Sequence, residues 1–298
     1  MTAQPRPRTG WSARSRQERL GLKLLLPVLG TVVLIAFIPF LLAIFRALTS
    51  NSGEFIGLGN FQRAFANPML AEAIKQTAIY AAIVLPSQIL LALGLALLVH
   101  RSVRSAAQRA VMFVAAMIPI FIPQVVVGVV FRLVFASDYG VINAVLGLRG
   151  HDQILWLSQP QLAMISVAIV DIWQWTPFVY LIMFAGLQTV PSESVDAAQV
   201  DGAGSWAQFR HIELHYLRPL LLLVLFFRIA DVLRVFDHVY VLTGGGPGAT
   251  TQFLSLYMYR IAFPFSDLGQ ASALAVALMA AMIVLYTVIL RFLPLERR

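Results

Sequence analysis

Six apolar runs, each about as long as a helix needs to be to cross the hydrocarbon of a bilayer, divide this chain and leave it few ways to fold. They cover roughly residues 24–45, 77–99, 111–135, 162–186, 219–242 and 271–293. In hydrocarbon every backbone N–H and C=O must find a partner within the protein, so runs of this length read as helices. The expected fold class is an all-α membrane protein with six transmembrane helices. Prolines inside several runs (Pro39, Pro86, Pro119, Pro123, Pro177) predict kinks. Charged residues make up 12% of the chain, against about a quarter in an ordinary soluble domain. The first run is too long for a signal peptide and lacks a small-x-small cleavage site, so 1–23 reads as an arginine-rich tail and 24–298 as the membrane domain.

The connecting segments carry an orientation signal. The tail, the loops near 100–110 and 187–218 and the end after 290 hold fourteen Lys and Arg, and the alternate loops hold five. The positive-inside rule therefore places both termini and the 187–218 loop in the cytoplasm. The net charge of +8 is then a topology signal and a contact with anionic membrane lipid; no nucleic-acid surface accompanies it. The chain has no cysteine, which excludes disulfides and thiolate chemistry. Its two lysines, Lys23 and Lys75, precede Leu24 and Gln76, so a G-x-x-x-x-G-K-[ST] phosphate loop is absent. If ATP drives this protein, another subunit hydrolyses it.

Residues 190–219 interrupt the apolar pattern with about thirty residues suited to water. Pro191, Ser192 and Glu193 start a short helix, and Asp201-Gly202 closes it, glycine supplying the left-handed conformation. Ser205 and Gln208 have capping-box spacing and open a second helix. Along it Trp206, Phe209, Ile212 and Tyr216 recur at helical spacing as one apolar stripe. That stripe either folds back on the protein's own helix ends or fits a groove on a partner. His211 and His215 stand four apart, but no third ligand accompanies them, and no metal site is expected.

Polar residues inside the spans are the candidates for chemistry. The fifth run holds Arg228, Asp231, Arg234, Asp237 and His238, with Arg228–Asp231 and Arg234–Asp237 as i,i+3 pairs. A charge at mid-membrane costs about 2.5–3.5 kcal/mol on insertion scales, so such groups face a cavity or one another. The fourth run adds Asp171, Trp173, Gln174 and Trp175 near mid-depth, where an interfacial aromatic belt does not explain two tryptophans. Indole faces beside carboxylate and amide groups suit a sugar ring, although tryptophan also packs between helices. With Gln124 of the third run, Asp171, Trp173, Gln174, Trp175, Arg228, Asp231, Arg234 and Asp237 form the expected solute pathway.

Asp196-Ala197-Ala198, three residues, Gly202, nine residues, then Ile212-Glu213-Leu214 resembles a motif of permease subunits of bacterial ATP-binding-cassette (ABC) importers. There it reads E-A-A, three residues, G, nine residues, I-x-L-P. Asp196 stands in place of glutamate and His215 in place of proline. The stretches FIGLGNFQRAF (55–65) and LTGGGPGATT (242–251) are similar to the carbohydrate-uptake branch of that family. The resemblance implies a type I ABC importer permease fold in a bacterial inner membrane, with a cytoplasmic coupling-helix loop at about 187–218. It implies that Asp196, Ala197, Ala198, Asp201, Gly202, Trp206, Phe209, Ile212 and Leu214 engage a cytoplasmic ATPase dimer, which binds the Mg-ATP, so this chain holds no cofactor. A second homologous permease, an extracytoplasmic solute-binding protein and a sugar-like solute are the further partners implied. The alternative is an ion-coupled secondary carrier using the buried Arg/Asp pairs. It predicts internal repeats, which are not seen, and gives the two-helix loop no role. An intramembrane enzyme would need a nucleophile or metal constellation that the sequence does not offer.

Overall fold

The computed structural model describes residues 25–103 and 105–292, so the tail 1–23 lies outside the described residues. Helices α1 (Leu25–Leu48), α3 (Pro68–Ser102), α6 (Pro160–Leu187) and α11 (Leu268–Phe292) are long and apolar enough to cross a membrane. A short α2 (Gly59–Ala66) separates the first two. The third run is not one straight helix. It divides into α4 (Ala106–Met117), a tight turn over Ile118–Phe121, and α5 (Gln124–Val134), bent by 94° at the break. Pro123 has no N–H to give, and the residue before it is pushed to extended geometry, as Ile122 shows (φ −85°, ψ 126°). The carbonyl thus freed at Ile122 accepts the Gln174 side-chain amide at 2.8 Å, which lets the break exist among apolar helices.

The fifth run is also shorter than expected. The two-helix loop begins with α7 (Ser192–Val200), turns at Asp201-Gly202, and leads into one continuous helix, α8, over 205–233. α8 contains a π turn at Phe209–Glu213 and Pro219 within its body. It stops at Leu233; Arg234 to Phe236 leave helical geometry, and α9 (Asp237–Leu242) resumes after the break. Ser255 of α10 (Leu254–Ala262) donates to the Val235 carbonyl in that gap. α8 is long enough to cross a bilayer but carries Arg218, Arg228 and Asp231, so among the described residues four helices, or five with the bent pair, pass on length and polarity.

α6 is the axis of the bundle, with half of its apolar stretch enclosed by protein, and α1 is peripheral, lying along α11. α3 buries one unbroken stripe along its length: Leu70, Ala73, Thr77, Tyr80, Val84, Gln88, Ala92, Ala96 and Val99, spaced three or four apart. From Tyr80 onward that stripe seats it along α6, while Leu70 and Ala73 pack against α10 and α11. Asn67 caps α3, accepting the Met69 N–H at 3.0 Å, with Pro68 at the first helical position. At the end remote from the α7–α8 loop, Thr77 accepts the first N–H of α10 from Leu254 at 2.9 Å. Asn60, fully enclosed, donates to the last carbonyls of α1 at Ala47 (2.9 Å) and Thr49 (2.8 Å). The glycine-rich segment 242–251 is pinned by Arg260, which bonds to the Gly244 carbonyl and to Gln252.

α5 and α9 meet at Gly128, where an added Cβ would lie 2.9 Å from the Val241 Cβ and 3.1 Å from the His238 Cα. Arg132, one turn on, donates to the Val241 carbonyl at 3.2 Å. Gly128→Leu should therefore push α9 off α5 at a cost of about 1–3 kcal/mol, read as a lower unfolding temperature of the purified protein in detergent; an unchanged temperature would show that the contact contributes nothing.

Candidate functional site

Two polar regions break the apolar bundle, one at mid-height and one at the α7–α8 end. The first is organised by Arg228 on α8, almost completely enclosed. Its Nη2 donates to both carboxylate oxygens of Asp171 on α6, at 3.1 and 3.0 Å, and its Nη1 to Asp231 at 3.2 Å. Its Nε donates to the Gln88 side-chain oxygen on α3 at 3.0 Å, and Gln88 in turn donates to the Asp171 backbone carbonyl at 3.0 Å. The guanidinium carbon sits 5.0 Å from the ring centre of Trp175, a cation–π contact. Helical spacing explains the convergence: Asp171 and Trp175 are i,i+4 on α6, and Arg228 and Asp231 are i,i+3 on α8. Asp231 also faces Arg234 at 3.6 Å, and this second pair is far more open to solvent than the first.

Beside this cluster lies a cavity of about 230 Å³, lined by Gln124, Asp171, Trp175, Arg228, Asp231, Arg234 and Val235. Six of the nine expected pathway residues line it. Three do not. Trp173 points to the outside of the bundle, 41% exposed, against Phe131 at a ring separation of 5.1 Å. Gln174 is buried, and its amide holds the α4–α5 break. Asp237 is exposed at the start of α9, and the expected Arg234–Asp237 pair is replaced by Arg234–Asp231 because α8 stops at Leu233. Gln88 and Tyr80 were not expected. Tyr80 shares a 3.4 Å contact with buried His238, and only their position on the buried stripe of α3 could have marked them.

The second region is the loop. Gly202 has φ +77° with nothing within 4 Å of an added Cβ, so its requirement is backbone conformation and not space. The expected capping box does not form. The N-cap is Gly204, and the Gln208 amide donates to the Ala203 carbonyl at 2.7 Å. The apolar stripe is split: Phe209 packs against the helix ends around Leu187 and Leu217, while Trp206 stays 70% exposed, 5.5 Å from the Phe209 ring. Ile212 and Leu214 are half-buried; Asp196, Ala197 and Asp201 are exposed, with Ala198 between. Sequence reading passed over Glu213, which is buried and accepts from Arg101 at 2.8 Å. A cleft of about 590 Å³ separates α7 from the ends of α3 and α6.

The family described as binding-protein-dependent transport system inner membrane component matches residues 88–295. The sulfoquinovosyl glycerol transport system permease protein of Agrobacterium fabrum is 36% identical over 252 residues, covering 84% of this chain and 81% of that one. The trehalose/maltose transport system permease protein of Thermococcus litoralis is 31% identical over 266 residues, covering 88% and 89%. In fold, the chain is similar to one of a crystal structure of a bacterial ABC transporter involved in the import of the acidic polysaccharide alginate. The TM-score is 0.81 at 23% identity, over 95% of this chain and 98% of that one.

Removing one member of a buried ion pair strands the other. Arg228→Met should cost about 3–5 kcal/mol and should be largely repaired by adding Asp171→Leu, since paired apolar replacement is near neutral. Chemical unfolding of both variants in detergent checks this, and equal destabilisation of single and double would refute the pairing.

Proposed function

The chain belongs to the family of binding-protein-dependent transport system inner membrane components, and from that premise we propose how its two polar regions divide the work of import. It is a transport subunit, like its permease relatives, and ATP hydrolysis falls to a separate subunit. In the proposed assembly a solute-binding protein delivers a sugar or sugar-like solute of disaccharide, polyol or glycerol-phosphate type. A second, similar permease supplies the other half of the pathway. A cytoplasmic ATPase dimer, holding the Mg-ATP, receives the α7–α8 loop. Both termini and that loop lie in the cytoplasm, and α4–α5 and α8–α9 serve as the third and fifth of six spans. The Lys and Arg asymmetry supports this orientation.

The observation that carries the reading is the loop's surface. Val200 is 88% and Trp206 70% exposed at the two sides of the Gly202 turn, an apolar pair that the described residues leave uncovered. A groove on the ATPase that accepts them would grip the loop, and closure of the dimer would move α8 with it. At the other region the Trp175 indole lines the cavity, beside amide and carboxylate groups. Two positive side chains, Arg228 and Arg234, meet two negative ones, Asp171 and Asp231, so this chain's share of the lining is neutral by count. Such a wall suits hydroxyl-rich solutes.

The decisive experiment reconstitutes the permease pair with its ATPase and binding protein in proteoliposomes and measures uptake and ATP hydrolysis. Gly202→Val, forced into a left-handed conformation that costs a branched residue at least about 1–2 kcal/mol, should abolish solute-stimulated hydrolysis while the protein still inserts. Normal uptake by this variant would count against the loop's role. Trp175→Ala should raise the apparent KM for solute about fivefold, the equivalent of a lost aromatic contact near 1 kcal/mol, whereas Trp173→Ala should leave it unchanged. The reverse order of sensitivity would move the pathway to the other face of α6.

A further inference from the structure

The loop and the cavity are joined by more than α8. Glu213 sits in the π turn of α8 and is enclosed there, a poor place for a carboxylate without a partner. Its partner is Arg101, in the last turn of α3, at 2.8 Å. The same Arg101 nitrogen donates to the Ser205 carbonyl at 3.3 Å, so one guanidinium holds both the first residue and the π turn of α8. Higher up, α3 and α8 are tied again by Gln88 and Arg228 at 3.0 Å.

The two ties are matched in spacing. From Gln88 to Arg101 is thirteen residues along α3, about 20 Å, and from Glu213 to Arg228 is fifteen along α8, about 22 Å. The helices run in opposite directions, each tied near both ends of these segments. Between 88 and 101 α3 has no proline, Pro86 lying just beyond, and Gln88, Ala92, Ala96 and Val99 seat it on its neighbours. α8 over the same height is weaker, with the π turn and Pro219, where backbone bonds are missing or lengthened and bending is concentrated.

We infer that Arg101 is a positioning residue for transport. It clamps α8 to α3 at the loop, so that displacement of the loop reaches the Arg228 cluster as motion of a braced pair of helices and is not absorbed by bending at Phe209–Glu213 and Pro219. This inference rests on the importer reading. It adds a role for Arg101, which lies outside the loop motif, and for Glu213, the motif position between Ile212 and Leu214, and it makes the proline-free stretch of α3 from Gln88 to Arg101 the brace. Without the clamp the loop can still dock, but its movement dissipates below the cavity.

The absence of cysteine from the chain permits a direct test that needs no knowledge of the solute. Gln124→Cys places a single thiol in the cavity lining, and its maleimide labelling rate is read on this subunit's band in the assembled complex, without nucleotide and after trapping with MgATP and vanadate. The clamped reference should change its rate about tenfold on trapping, within the range of ordinary coupling between sites. Arg101→Gln should lose that change while the ATPase still co-purifies and still traps nucleotide. Arg101→Lys, which keeps the charge, should retain a good part of it. The exchange of Arg101→Glu with Glu213→Arg should restore what Arg101→Gln loses. If that exchange does not fold, the lysine and glutamine variants decide the matter by themselves. A full response in Arg101→Gln overturns the inference alone. Equal loss in the lysine and glutamine variants, unrepaired by a folded exchange, assigns Arg101 to packing and also overturns it. A reference that never responds to trapping removes the importer reading, and this inference with it.

Discussion

An arginine stands enclosed in the middle of an apolar bundle, and much of the bundle's interior is arranged to make that tolerable. A guanidinium away from water needs acceptors for its N–H groups and opposite charge close by. Arg228 finds them on three helices: Gln88 from α3, Asp171 from α6 and Asp231 from its own α8, with the Trp175 ring as a fourth wall. These demands fix relative rotations that apolar packing alone leaves loose, because a leucine surface accepts many rotations and a two-pronged carboxylate–guanidinium contact accepts few. The interaction therefore acts less as a source of stability than as a specification of which faces of α3, α6 and α8 meet.

The all-helical character and the order of the apolar runs were legible in the sequence because a bilayer-length apolar run has few alternatives; of the six expected spans, four helices, or five with the bent pair, are long and apolar enough among the described residues. The charged residues of the fifth run were likewise visible as candidates. Rotation and continuity were not legible. Trp173 and Trp175 are two residues apart, about 200° around a helix, and only neighbours decide that Trp175 faces inward and Trp173 out. Arg234 and Asp237 have pairing distance in any helix, yet α8 stops at Leu233 and the chain from Arg234 to Phe236 is not helical. Pro123 announced a kink, but a 94° turn needed an amide from α6 to satisfy Ile122, and Gln174 offers no local sign of that duty. Gln88 was overlooked because one glutamine in a long apolar run looks like an interruption until its buried register is known.

The loop shows a different division between pattern and structure. Its amphipathic stripe pointed two ways, to self-packing and to a partner, and the chain uses both: Phe209 turns inward and Trp206 remains outside. Proline at 215 would have removed one backbone N–H from the helix just after the π turn. With histidine there the helix runs on, so the loop's second helix and the membrane helix are a single element over 205–233. Continuity of backbone makes the loop an extension of α8, with irregularities at the π turn, where Glu213 meets Arg101, and at Pro219. A hinge at 215 would part the loop from the membrane helix; the continuous helix joins it to the segment that carries Arg228.

Asp231 explains how a cavity can be both firmly built and responsive. Its Oδ2 belongs to the enclosed Arg228, and its Oδ1 to Arg234, whose side chain is 61% exposed. An ion pair open to water contributes about 0–1 kcal/mol, so the Arg234 contact is readily exchanged for water. The Asp171–Arg228 contact has no such alternative, because breaking it leaves a charge in an apolar surround. One carboxylate thus divides an enclosed contact from an open one across its two oxygens. The outer oxygen can change partners while the inner one goes on holding α8 in register with α3 and α6, so the cavity lining can rearrange without the bundle losing its rotation.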